Sequence, residues 1–115
     1  IQEVHKILDK QIDISVTSVR VPVLVGHSFA CNIEFEDEAN LLEIEKALSQ
    51  SPALKYTHND FTPRASLNTD QIHVSRLKKA KFNNNVIDLW LTCDNLRKGA
   101  ALNLVQIAEE LIKII

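Results

Sequence analysis

The chain contains no methionine, not even at position 1, and little of what organises several common classes of small protein. Its cysteines, Cys31 and Cys93, are too few and too far apart for a disulfide framework or a zinc site, and a reducing cytoplasm suits them best. Glycine is scarce, with two in 115 residues, and there is neither a GxGxxG turn nor a phosphate loop. Nothing here binds a dinucleotide unaided. No apolar run approaches the ~20 residues that span a bilayer, and the amino terminus lacks the basic-then-apolar layout of a signal peptide. A net charge of -2 offers no basic surface to draw in a phosphate backbone, which disfavours nucleic-acid partners. The missing initiator leads us to expect a processed chain or a fragment, with part of the chemistry carried elsewhere.

What is present is ordinary for a globular domain: 45% hydrophobic and 24% charged residues, in a length that supports a single core. Gln2 to Leu8 reads as the last turns of a helix. Ile12, Ile14 and Val16 alternate with Asp13, Ser15 and Thr17. The phase then slips to Val19, Val21 and Val23, so the pattern predicts a half-buried strand with a bulge near Thr17-Ser18. Pro22 and Gly26 punctuate the connection to a second strand, in which Phe29, Cys31, Ile33 and Phe35 face inward. Asn40 with Glu43 resembles a capping box for a helix carrying Leu41, Ile44 and Leu48, ending near Ser51-Pro52. Lys55 to Asp70 reads as a long loop. Gln71 to Lys79 and Val86 to Cys93 read as strands joined across Asn83-Asn84-Asn85. Gly99 precedes a closing helix with a broad apolar stripe through Leu104, Val105, Ala108, Leu111, Ile112 and Ile115. Together these elements predict an α+β fold, a mostly antiparallel or mixed sheet with helices on one face. The opposite face is expected to be rich in Val and Ile, and to serve as a subunit interface.

If the first two strands form a hairpin, Arg20 and His27 sit at its tip. A guanidinium presents a permanently charged fork that matches a carboxylate, and an imidazole takes and returns protons near neutrality. Such a pair makes half an active site for an amino-acid derivative. Arginines in strands and histidines after glycines are mostly surface residues, so periodicity alone leaves both readings open. His5, His58 and His73 show no metal-ligand spacing. Cys31 on an apolar strand face and Cys93 beside Asp94 are poor nucleophiles. Lys98-Gly99 reads either as an anion site at a helix start or as a solvated basic pair.

The segments Ser18-Val19-Arg20-Val21-Pro22-Val23 and Gly26-His27-Ser28 resemble a motif of the aspartate-semialdehyde dehydrogenase family, cysteine-Val-Arg-Val-Pro-Val followed by Gly-His-Ser at the same spacing. Glu3 to Leu8 is similar to the family's Glu-Thr-x-Lys-Ile-Leu helix end, and Val74-Ser75-Arg76-Leu77 to a Gly-Arg-Ile strand. Asp94 to Asn103, followed by Val105-Gln106-Ile107-Ala108-Glu109, is nearly the family's closing motif. The resemblance covers essentially the whole chain.

That resemblance implies the fold of the glyceraldehyde-3-phosphate dehydrogenase carboxy-terminal domains. Residues 1–98 would be the substrate-binding and dimerisation domain, and 99–115 a closing helix that packs on a nucleotide-binding domain. It implies an enzyme that reduces L-aspartyl-4-phosphate with NADPH to L-aspartate-4-semialdehyde and phosphate, in lysine, threonine and methionine biosynthesis, as a cytoplasmic homodimer. Arg20 would hold the substrate α-carboxylate. His27 would be the acid/base assisting a cysteine thiolate, whose thioester is then reduced by hydride. Asn95 matches a position on the nicotinamide side of the cofactor, and Glu3 one near the substrate pocket. The family's Asn-Cys-Ser/Thr nucleophile segment, glycine-rich loop and Glu-x-x-Lys segment are all missing here, so the chain alone is expected to be inactive. Ser18 replaces the usual cysteine, and Phe29 stands where an acid or amide is commoner, which leaves the rim of the pocket open. Two rivals remain: a sister acyl-phosphate reductase such as one for N-acetylglutamyl phosphate, and a non-enzymatic α+β dimerisation module.

Overall fold

A computed structural model describes residues 1–115. At its centre is a four-stranded sheet in the order β1-β4-β3-β2, formed by β1 (His27–Glu34), β2 (Leu54–Tyr56), β3 (Ile72–Ala80) and β4 (Asn83–Cys93). The long β4 pairs antiparallel with both β1 and β3, while β2 runs parallel to β3, so the sheet is mixed. Three helices accompany it: α1 (Gln2–Leu8), α2 (Leu41–Gln50) and α3 (Leu102–Ile112).

The period-two alternation of β4 builds the core. Ile87, Leu89 and Leu91 share one face with Val74 of β3 and Cys31 of β1, and α2 lays Leu41, Ile44 and Leu48 over it. Ile87 is 1% exposed, and its burial contributes roughly 1.5–3 kcal/mol. The helix starts where expected, because Asn40 Oδ1 accepts from the Leu42 amide at 3.1 Å. It ends at Ser51, whose extended backbone leads into Pro52.

Several sequence expectations need correction. Ile12 to Val23 forms no strand and no bulge; Val19 and Val21 stand exposed on irregular chain. Alternation marks a segment that can pair, but its backbone needs a neighbouring ladder, and β1 pairs only with β4. The stretch from Lys55 to Asp70 is not structureless. It contains most of β2 and a 3-10 turn, Pro63–Ser66, capped by Thr62 Oγ1 accepting from the Ala65 amide at 3.2 Å. Asn83, Asn84 and Asn85 belong to β4, and the turn lies before them at Lys81-Phe82. The Asn84 and Asn85 carbonyls accept from Ala39 and Phe35 at 3.1 and 2.9 Å, which holds asparagines that favour turns in extended form.

The face opposite α2 is polar. Strand register places Ser28, Thr92, His73 and Lys55 in one row and Ala30, Trp90 and Ser75 in the next. The segment between β2 and β3 covers part of it: Trp90 Nε1 donates to the Phe61 carbonyl at 3.0 Å, and the Phe61 ring stacks on His73 with centroids 3.9 Å apart. Val and Ile therefore do not make this face an apolar interface. The uncovered apolar residues of the sheet are Phe29 and Ile33, on the helix side of β1 beyond the span of α2. All twelve buried residues lie between Ala39 and Lys98, so neither α1, α3 nor the chain from Asp9 to Gly26 contributes one.

His73 is 2% exposed, and its Nε2 donates to Thr69 Oγ1 at 3.0 Å, since that hydroxyl already donates to the Ser66 carbonyl at 2.6 Å. Burial, and then the charge of Lys55, lower its pKa from the ordinary 6.5. The folded state thus binds fewer protons than the unfolded chain just below that value. This contribution is complete above pH 6.5 and is lost as pH falls through the folded-state pKa. We expect the urea midpoint of unfolding to fall between about pH 7 and pH 5.5. In His73→Gln, which keeps a donor toward Thr69, the same interval should be nearly flat. An equal slope in both proteins would assign the effect to another group.

Candidate active site

Gly26 begins the site. Its φ of +110° is a conformation that side-chain-bearing residues rarely adopt. A Cβ there would also meet Pro63 Cβ at 3.4 Å and the Cys93 carbonyl at 3.6 Å. The Gly26 amide lies one residue before the β1–β4 ladder, which opens at the pair His27 and Cys93. It finds its acceptor in Asn95 Oδ1 at 2.7 Å, across 69 residues of sequence. Gly-His-Ser and Asp-Asn-Leu, far apart in the chain, therefore meet at one corner of the sheet.

Asp94 builds the turn that presents Asn95. Its Oδ1 accepts from the amides of Leu96 and Arg97 at 2.9 and 3.2 Å, and its Oδ2 accepts from Asn68 at 2.9 Å. The Asn68 amide, then those of Leu96 and Arg97 and the Arg97 charge, hold this carboxyl below the usual carboxylate range against the opposing cost of desolvation. The loop carrying Pro63 and Asn68 is tied to the turn carrying Asn95 through one side chain.

His27 is exposed at the start of β1 and meets only the edge of Phe29, with centroids 6.3 Å apart and planes at 80°. No side-chain hydrogen bond orients its ring. Arg20 is exposed on the irregular segment and has neither a hydrogen bond nor an ion pair. Glu3 is exposed on α1 and likewise unpaired. The structure thus joins Asn95 to the Gly26-His27 backbone, but it places neither Arg20 nor Glu3 in contact with them, and no hairpin forms to seat Arg20 and His27 at one tip.

Neither thiol is activated. Burial pushes the Cys31 thiol up. Burial also raises Cys93, the His27 amide draws it partly back, and the Asp94 charge raises it further. His58 pairs with Glu45 at 3.0 Å, and His5 Nε2 meets the Ile12 carbonyl at 2.7 Å. Lys98 is neither a solvated basic group nor free for an anion. It lies buried in the kinked segment Arg97–Ala101, where Ala100 leaves helical geometry, with Nζ donating to Gln106 Oε1. Sequence reasoning missed Asp94 and the full part played by Gly26. The available signals were one of only two glycines directly before the candidate histidine, and an aspartate opening a turn into a helix.

A mixed sheet with a helix on one face and a glycine-set histidine at the corner defines a class of α+β domain, and the chain belongs to the family of semialdehyde dehydrogenase dimerisation domains, whose model matches residues 1–98. The enzymes it is similar to are aspartate-semialdehyde dehydrogenases. It is 48% identical over 120 residues to that of Rickettsia bellii, covering 96% of this chain and 34% of that protein. It is 37% identical over 118 residues to that of Helicobacter pylori, covering 98% and 34%. Among solved structures, the Francisella tularensis enzyme superposes with a TM-score of 0.80 at 28% identity, covering 95% of this chain and 33% of that one. The Vibrio cholerae enzyme II, in complex with ASA, gives 0.74 at 32% identity, covering 82% and 29%. The fold is that of glyceraldehyde-3-phosphate dehydrogenase-like carboxy-terminal domains. The chain spans about a third of the length of these relatives.

Proposed function

We propose that this chain is the substrate-binding and dimerising portion of an NADP-dependent aspartate-semialdehyde dehydrogenase, a cytoplasmic homodimer of lysine, threonine and methionine biosynthesis. The reaction reduces L-aspartyl-4-phosphate to L-aspartate-4-semialdehyde and phosphate. The observation that carries this reading is the 2.7 Å bond from the Gly26 amide to Asn95 Oδ1, which brings the histidine motif and the closing asparagine together.

The residues present suit a nicotinamide cofactor. With Oδ1 occupied by Gly26, the Asn95 Nδ2 group has no partner in the chain and is left to donate to a carboxamide. The cofactor supplies the hydride. His27 takes the proton of the attacking thiol, which lies outside this chain, and returns it later in the cycle. Arg20 anchors the substrate α-carboxylate with its planar fork, and Glu3 lines the approach to the pocket. The closing helix packs on the nucleotide-binding domain, which accounts for an apolar stripe that buries nothing here.

Purified alone, the chain should show no phosphate-dependent reduction of NADP with aspartate semialdehyde. Joined to a nucleotide-binding half that carries the nucleophilic cysteine, it should turn over aspartate semialdehyde and not N-acetylglutamate semialdehyde. The opposite preference would move the protein to the sister reductases, and turnover by the lone chain would mean the chemistry is misplaced.

A further inference from the structure

We infer that Asn95 is a positioning residue for His27, acting through the Gly26 amide, so that one side chain serves proton transfer with its oxygen and the cofactor side with its nitrogen. This rests on the reading of His27 as the acid/base and of Asn95 as a cofactor contact.

The argument starts from what holds His27. Its ring has an edge contact with Phe29 and no hydrogen bond, so the backbone sets where it projects. On the downstream side that backbone is secured by the β1–β4 ladder from His27 onward. On the upstream side, residues 11–24 form no regular structure and add no buried residue. The tie immediately before His27 is the Gly26 amide on Asn95 Oδ1. Gly26 also takes a φ of +110°, and a side chain there would come within van der Waals contact of both Pro63 and the Cys93 carbonyl. Asp94 ties two of the neighbouring segments together, because its carboxylate holds the loop of Pro63 through Asn68 and the turn of Asn95 through Leu96 and Arg97. Three segments therefore converge on one glycine, and the only ring left loose beside it is the imidazole.

An amide suits this double task. Gly26 N–H can bond only to an acceptor, which fixes the side-chain orientation and turns Nδ2 away from Gly26. Asn95→Asp keeps an acceptor for Gly26 but has no donor for the cofactor. Asn95→Ala keeps neither. The two variants thus separate the two tasks.

The test has two arms. In the 115-residue chain, amide hydrogen exchange reads the tie itself. The Gly26 amide should be protected in the parent chain, lose protection by about 10-fold or more in Asn95→Ala, and regain it in Asn95→Asp, while β3 and β4 amides stay unchanged as a control for folding. An unprotected Gly26 amide in the parent chain, or equal protection in all three proteins, would overturn the inference and leave the proposed function standing. In the enzyme assembled with a nucleotide-binding half, Asn95→Ala should lower kcat by ~10–100-fold and raise KM for NADPH. Asn95→Asp should recover most of kcat while KM stays raised. A kcat that falls equally in both variants would show that Asn95 acts only on the cofactor. An unchanged kcat in His27→Ala would instead remove the reading on which the inference rests.

Discussion

Replacing His27 with alanine in the assembled enzyme is expected to lower kcat by ~10²–10⁴-fold, the range for a positioned acid/base. The size of the effect follows from the absence of a substitute. Among the other histidines, His73 is enclosed under Phe61, His58 is paired with Glu45, and His5 is on the Ile12 carbonyl. Neither thiol helps, since burial raises both. KM for NADP should be nearly unaffected, because the ring makes no contact with Asn95 and its loss leaves the Gly26 tie intact. His27→Gln, which fills similar space and can hydrogen-bond but not carry a proton, should be almost as slow as the alanine variant. Stopped-flow measurement of NADPH appearance in the phosphate-dependent direction checks this. Wild-type kcat in either variant would end the assignment.

Removing the Arg20 guanidinium should cost about 2–4 kcal/mol of transition-state stabilisation, which is roughly 30- to 1000-fold in kcat/KM. Arg20 has no partner within the chain, so its substitution leaves no buried group unsatisfied and should not change stability. The whole effect should appear in catalysis. Arg20→Lys restores the charge but not the fork, and it should recover only part of the loss. A substrate analogue lacking the α-carboxylate supplies the internal check: wild type and Arg20→Ala should process it equally poorly. If Arg20→Ala is slower than wild type on that analogue too, the guanidinium serves some other group.

How far these sites were readable from the sequence differs from residue to residue. Arg20 and His27 stood out for their chemistry, and the resemblance of their flanking segments gave them roles. Their pairing at a hairpin tip did not survive, because the strand drawn through Ile12 to Val23 has no ladder to join in this chain. The closing motif gave Asn95 an expected role on the cofactor side, whereas its bond to Gly26 spans 69 residues and left no local trace. Asp94 was read only as a neighbour that discourages a thiolate. Its grip on Asn68 depends on a loop that sequence reasoning left unfolded and that in fact carries most of β2 and a 3-10 turn.

Short-range physics was decided by the sequence itself. The Asn40 cap, the apolar stripe of α2, the alternation of β4 and the stop near Pro52 all arise from groups a few residues apart, and each appears in the fold. Register and coverage were decided only by the tertiary structure. An alternating strand states that it has two faces without stating which partner lies beside it, so the polarity of the face opposite α2 followed from how β1, β3 and β4 align. The bulge after Ser75, where Arg76 takes a φ of +57° and grips Asp60 through two bonds at 2.6 and 2.8 Å, changes that alignment partway along β3. The corner at Gly26 has the same origin. A glycine's permissive backbone allows the conformation, and only the meeting of β4, the Pro63 loop and Asn95 makes it necessary.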